Sequence, residues 1–129
     1  MDDGGATVRD NPLAGLRVLI VEDDTLIALD LGGMLSASGA EIIGPVHSAS
    51  SALTLIDQQR PDIAVLDWQL LHETASPVAA RLSSLGMPFL FHTSQRELPE
   101  AAYPGVTIVD KPATPDQLVL AVSALKGKA

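Results

Sequence analysis

Continuous apolar runs alternate along this chain with stretches that carry an apolar residue at every third or fourth position. Val18-Leu19-Ile20-Val21, Ile63-Ala64-Val65-Leu66, Phe89-Leu90-Phe91-His92 and Val106-Thr107-Ile108-Val109 are the main runs, and Glu41-Ile42-Ile43-Gly44 is a shorter one. Strands buried on both faces lack polar alternation and read this way. Between them, Ile27, Leu31, Met34 and Leu35 share one helix face, and Gly39 ends that helix. Ser48 is positioned to cap a helix whose face is Ala49, Ala52, Leu53 and Ile56. Ser76-Pro77 reads as a cap and first helical residue before Val78, Leu82 and Leu85. Thr114-Pro115-Asp116-Gln117 is a capping box before Leu118, Val122 and Leu125. Strands alternating with helices predict an α/β domain with a parallel sheet covered by helices on both faces. The order breaks over residues 94–105, which hold two prolines and no clear apolar period. That stretch is expected to be mobile, with one or two helical turns at most. Residues 1–15, polar and Gly/Asp-rich with one proline, read as a flexible arm, and residues 16–129 as the domain.

The runs share a second property: each of the four main ones stops at a residue able to handle phosphate. The first meets Glu22-Asp23-Asp24, the second Asp67, the third Thr93, and the fourth Asp110-Lys111-Pro112. In open parallel sheets ligands bind beyond the carboxyl ends of the strands. Glu22, Asp23, Asp67, Thr93 and Lys111 are therefore expected at one site. Three carboxylates together need a cation, and an oxygen-only set suits Mg²⁺. A carboxylate beside that ion can attack a phosphoryl group, while the Thr93 hydroxyl and Lys111 ammonium each take a phosphoryl oxygen. Asp24 is better placed as a helix N-cap.

Composition narrows the classes. The 129 residues suit one domain, and 47% hydrophobic content argues against disorder. Eight basic residues against 16 acidic ones, a net charge of −8, disfavour direct nucleic-acid binding. No cysteine is present, so thiol catalysis and disulfides are excluded. No apolar stretch is long enough for a membrane span or a signal peptide, and a cytoplasmic location is the default expectation. His47, His72 and His92 lack metal-ligand spacing, and Trp68, next to Asp67, is expected to line the rim, partly exposed.

VLIVEDD (18–24), PDIAVLDWQL (61–70), Thr93-Ser94 and Asp110-Lys111-Pro112 together resemble the receiver domain of bacterial two-component response regulators. The resemblance runs from about Leu16 to Leu125. It implies a flavodoxin-like, doubly wound five-stranded parallel sheet of order 2-1-3-4-5 with about five helices, the fourth short or irregular. It implies that Asp67 is the phosphoacceptor, that Asp23 and Glu22 hold Mg²⁺ with Asp67, and that the backbone carbonyl of Gln69 completes the ligands. Thr93 would be the conformational sensor and Lys111 the phosphate-binding lysine. The phosphodonor would be a sensor histidine kinase or a histidine phosphotransferase. The chain would be a signalling domain rather than an enzyme, with slow autodephosphorylation alone. It stops soon after its last helical pattern, so no output domain is expected. Output would be contact with a downstream protein, or the domain would be a phosphate shuttle or sink; a homodimer is compatible with this.

The chain departs from the family pattern in places. Ile108 stands where receivers commonly carry an aromatic switch residue, and Lys111-Pro112-Ala113 replaces the common Lys-Pro-Phe. Phe91-His92-Thr93-Ser94 is similar to the Phe-Ala-Thr-Gly motif of a subgroup of stand-alone receivers, keeping the Phe and Thr. The rival reading is a receiver-like interaction module that works without phosphorylation. An aspartate-nucleophile phosphohydrolase is disfavoured, because the second acid such enzymes need two residues on is Gln69 here. Nucleotide binding is disfavoured by the lack of a Gly-rich loop after the first strand.

Overall fold

The computed structural model describes residues 11–94, 103 and 105–127. The strands of its main sheet are β1 (Arg17–Val21), β2 (Glu41–Val46), β3 (Ile63–Leu66), β6 (Phe89–Thr93) and β7 (Thr107–Asp110). All pair in parallel, in the order β2-β1-β3-β6-β7. This is the expected 2-1-3-4-5 order. A two-stranded antiparallel hairpin, β4 (Gln69–Leu70) and β5 (Glu73–Thr74), follows β3; the apolar pattern did not announce it.

Four helices are present among the described residues: α1 (Thr25–Ala37), α2 (Ala49–Gln59), α3 (Ser76–Ser84) and α4 (Pro115–Lys126). The expected short fourth helix, and the expected mobility of residues 94–105, fall on a stretch of which 94, 103 and 105 alone are described. Leu31 and Leu35 of α1 join Leu118, Val122 and Leu125 of α4 over Val18, Ile20, Val65 and Leu90. On the other face, Ala52 and Ile56 of α2 join Val78 and Leu82 of α3 over Leu19, Val21, Leu66 and Phe91. Alternation along each strand thus feeds two cores, as a doubly covered sheet requires. A fully buried Leu, Ile, Val or Phe contributes about 1.5–3 kcal/mol.

The helix starts follow local chemistry. Asp24 accepts from the Ile27 N–H at 3.1 Å, Ser48 from the Ser51 N–H at 3.2 Å, and Thr114 and Gln117 close a reciprocal capping box. Helix α3 differs by one position from expectation. Ser76 is its first residue rather than its cap, Ala75 precedes it with no side-chain cap, and the Thr74 hydroxyl accepts from the Ser76 N–H. Two glycines occupy positions that forbid a side chain. Gly39, after α1, has φ +102°, and a Cβ there would lie 2.9 Å from the Ala14 backbone nitrogen. Gly44 has φ +91° inside β2, where pairing with β1 shifts register.

Residues 1–10 lie outside the described set. Within residues 11–15, expected as the end of an arm, Leu13 packs instead. Leu13 is completely buried in the α1/α4 core, and its N–H donates to the Ser38 carbonyl at 2.9 Å. No helix among the described residues is long and apolar enough to cross a membrane.

Candidate functional site

Every strand of the parallel sheet points the same way, so the ends of β1, β3, β6 and β7 deliver their next residues to one edge. Glu22 follows β1, Asp67 follows β3, Thr93 ends β6, and Lys111 follows β7. Parallel register aligns Val21 with Leu66, and Thr93 with Asp110. The Asp67 N–H donates to the Val21 carbonyl at 2.9 Å, which ties the two acidic strand ends together.

Glu22, Asp23 and Asp67 each offer a carboxylate oxygen within 4.8 Å of the others. Glu22 is 1% exposed and Asp67 5%. The Lys111 ammonium reaches both, 2.9 Å from Asp67 Oδ2 and 3.0 Å from Glu22 Oε1. The Asp67 contact is an aligned hydrogen bond; the Glu22 contact is an ion pair without that alignment. Two further groups hold the Glu22 segment. The Asp24 N–H donates to Glu22 Oε2 at 3.2 Å, and His47 Nδ1 lies 2.8 Å from the Glu22 carbonyl oxygen.

The charges are in tension. Burial raises the Glu22 carboxyl to about 7, and the neighbouring Asp67 adds to the rise despite the pull of Lys111. Burial acts to lower the Lys111 ammonium, but its hydrogen bond to Asp67 and its ion pair with Glu22 outweigh this and hold it above the ordinary lysine value. Three acids crowd one cation, so the cluster has negative charge to spare. Clustered hard carboxylate oxygens fit Mg²⁺, which takes few protein ligands and keeps its waters.

Thr93 is 1% exposed, and its hydroxyl has no hydrogen-bond partner among the described residues. Gln69 opens the β4–β5 hairpin two residues after Asp67. Its side-chain amide bonds the Leu70 and Glu73 carbonyls, and the Glu73 carboxylate caps α2 through the Ala49 N–H. The hairpin thus braces the loop beside Asp67.

One expectation about a neighbour needs correction. Trp68 is not a rim residue. It is 8% exposed, packed edge-on against Phe91 and Tyr103, with ring centroids 5.7 and 5.8 Å away. The covering ring comes from a residue 35 positions away with no periodic signal of its own. His47 has a structural role that its spacing from other histidines does not reveal. The signal available was its place at the end of β2, the strand beside β1.

The model of the response regulator receiver domain matches residues 18–123, and the chain belongs to that family, the receivers of two-component systems. Transcriptional regulatory protein PdtaR of Mycobacterium tuberculosis is 35% identical over 89 residues, covering 67% of this chain and 43% of PdtaR. The chain spans less than half the length of the curated relatives it matches first. The receiver domain of a modulated diguanylate cyclase from Desulfovibrio desulfuricans superposes with a TM-score of 0.79 at 28% identity, covering 88% of this chain and 94% of that one. SdrG from Sphingomonas melonis gives 0.70 at 30% identity, over 88% and 97%. The anti-anti-sigma factor PhyR from Bartonella quintana gives 0.76 at 26% identity, over 93% and 51%.

Proposed function

We propose that this chain is a phosphoacceptor whose Asp67 takes a phosphoryl group from a phosphohistidine on a sensor histidine kinase or histidine phosphotransferase. The observation that carries this reading is the Lys111 ammonium held 2.9 Å from Asp67 Oδ2 beside the Glu22/Asp23 pair. In the transfer, an Asp67 oxygen attacks phosphorus and the phosphorus–nitrogen bond of the donor breaks. The bond pair leaves with the imidazole, and Asp67 becomes an acyl phosphate. Asp23, Glu22 and Asp67, with the Gln69 carbonyl, are the residues that would hold Mg²⁺. Bound there, the ion supplies positive charge against the incoming phosphoryl oxygens.

Lys111 stays as the fixed cation and takes one phosphoryl oxygen, turning from Glu22. The Thr93 hydroxyl takes another, which gives this buried group a partner. Output is by protein contact, or the domain passes phosphate on. Contact is the mode indicated by the Bartonella relative, described as an anti-anti-sigma factor. A phosphorylation-independent interaction module is the second reading. Ile108, half-buried at the position where an aromatic switch would stand, favours it.

Incubation with acetyl phosphate and Mg²⁺, and with phosphorylated kinases, tests the assignment. The wild-type chain gains one phosphoryl group and Asp67→Asn gains none, with unchanged circular dichroism. Labelling of the Asn variant refutes Asp67 as acceptor. No labelling of the wild type by any donor favours the second reading.

A further inference from the structure

A cavity of about 120 Å³ lies between α1 and the connection from β7 to α4, and Lys111 is the residue it shares with the carboxylate cluster. Ile27, Leu31 and Met34 of α1 form its apolar wall, and Asp30 stands among them. His92 and Lys111 line it from the sheet side. His92 is 4% exposed, yet neither ring nitrogen has a hydrogen-bond partner among the described residues. Buried polar groups in native proteins are nearly always satisfied. An imidazole open at both nitrogens, on the wall of a cavity, points to an occupant.

The chain builds this space at two positions. Alternation along β6 puts Leu90 and His92 on the face covered by α1 and α4, and Phe91 on the other. An apolar residue at 92 would simply have continued that core. At the second position, Ala113 gives the wall a methyl group where a longer side chain would close the space.

The chemistry limits the occupant. Burial, followed by the charge of Lys111, lowers the His92 pKa below the ordinary histidine value. The ring is therefore neutral at pH 7, with one donor and one acceptor. The Lys111 ammonium is already engaged by Asp67 and Glu22, and Asp30 opposes an anion. At about 120 Å³ the space is smaller than an engineered apolar cavity of about 150 Å³ that accepts benzene, so a single small ring is the upper limit on the occupant.

We infer that this cavity binds a small neutral molecule with a compact apolar body and one hydroxyl group, phenol-sized or smaller, hydrogen-bonded to the His92 ring. Because Lys111 lines the cavity and also pairs with Asp67, an occupant touches a residue of the carboxylate site. The inference stands independently of the phosphoacceptor reading, and its test needs no phosphodonor.

Phenol is the probe, titrated into the ¹⁵N-labelled full chain while the His92 ring resonances and α1 amides are followed. A saturable shift centred on His92 and on Ile27 to Met34 is expected. His92→Leu weakens binding about tenfold through loss of one hydrogen bond. Ala113→Phe, at a half-buried position, fills the space and removes the saturable shift. No saturation up to the solubility of phenol overturns the inference. So does equal affinity in Ala113→Phe, or a His92 ring bonded to water alone and indifferent to the probe.

Discussion

The ring of Tyr103 stands edge-on to Trp68 at 5.8 Å, and its hydroxyl lies 3.4 Å from Ser76 Oγ at the start of α3. Trp68 directly follows Asp67, so this contact links the acidic strand end to a residue that follows β6. The four aromatic residues of the chain, Trp68, Phe89, Phe91 and Tyr103, form one cluster of edge-to-face pairs. Such a pair contributes about 0.5–1.5 kcal/mol beyond its buried area. Tyr103→Leu is expected to cost about 1 kcal/mol in urea unfolding. It should also move Trp68 emission to longer wavelength and increase acrylamide quenching. Unchanged quenching would show that Tyr103 does not cover the indole.

Lys111 is the cation shared by two buried carboxylates, and its removal leaves both without compensation. Breaking a buried pair by deleting one partner typically costs about 3–5 kcal/mol. The Lys111 side chain is itself 25% exposed, and Glu22 is able to take up a proton, so Lys111→Met is expected to cost about 2 kcal/mol without divalent ion. Millimolar Mg²⁺ should recover a large part of this, because ligand that binds the folded state stabilises it. Equal loss with and without Mg²⁺ would place the ion elsewhere.

Much of this arrangement was legible in the sequence because parallel strands align their ends. Four continuous apolar runs, each ending in Glu22-Asp23, Asp67, Thr93 or Lys111, define both the sheet and the edge where those residues sit. Helix starts were equally readable at Asp24, Ser48 and Thr114, where cap and backbone interact within a few residues. What escaped depends on contacts distant in sequence. Trp68 is buried by Tyr103 and Phe91, Leu13 is pinned by Ser38, and Lys111 pairs with both Asp67 and Glu22. The β4–β5 hairpin escaped because two-residue strands carry no apolar period.

Gly44 offers a purely steric test of the fold near the site. Its φ of +91° is strained for any L side chain, and an added Cβ would lie 2.8 Å from the Val46 nitrogen and 3.3 Å from the Ile20 carbonyl oxygen. Both near atoms are backbone, so neither yields easily. Gly44→Ala is expected to cost about 2 kcal/mol. It should also disturb Glu22, because the Glu22 N–H donates to the Val46 carbonyl at 3.0 Å. A midpoint in urea unchanged from wild type would contradict the local geometry. Gly86, with φ +71° and nothing within 4 Å of an added Cβ, is the control; Ala there carries the conformational penalty alone.

Glu22 makes the pH dependence of stability run opposite to that of an ordinary salt-bridged acid. Its carboxyl titrates near 4.5 when free and about 7 in the fold, so between these values the folded chain binds more protons than the unfolded one. Stability contributed by this group therefore falls as pH rises from 4.5 to 7 and is flat above, by on the order of 3 kcal/mol. His92 works the other way. Its folded value lies below 6.5, so its contribution rises with pH and is complete above 6.5. The raised Lys111 value acts at higher pH, where its stabilisation is lost only as the ammonium deprotonates. Urea unfolding from pH 5 to 8 in Glu22→Gln should lose the falling contribution and retain the His92 rise. Added Mg²⁺ should flatten the fall in the wild type, because ion and proton compete for the same carboxylate and affinity for the ion increases up to about pH 7. An identical fall in Glu22→Gln would mean that another group carries the titration.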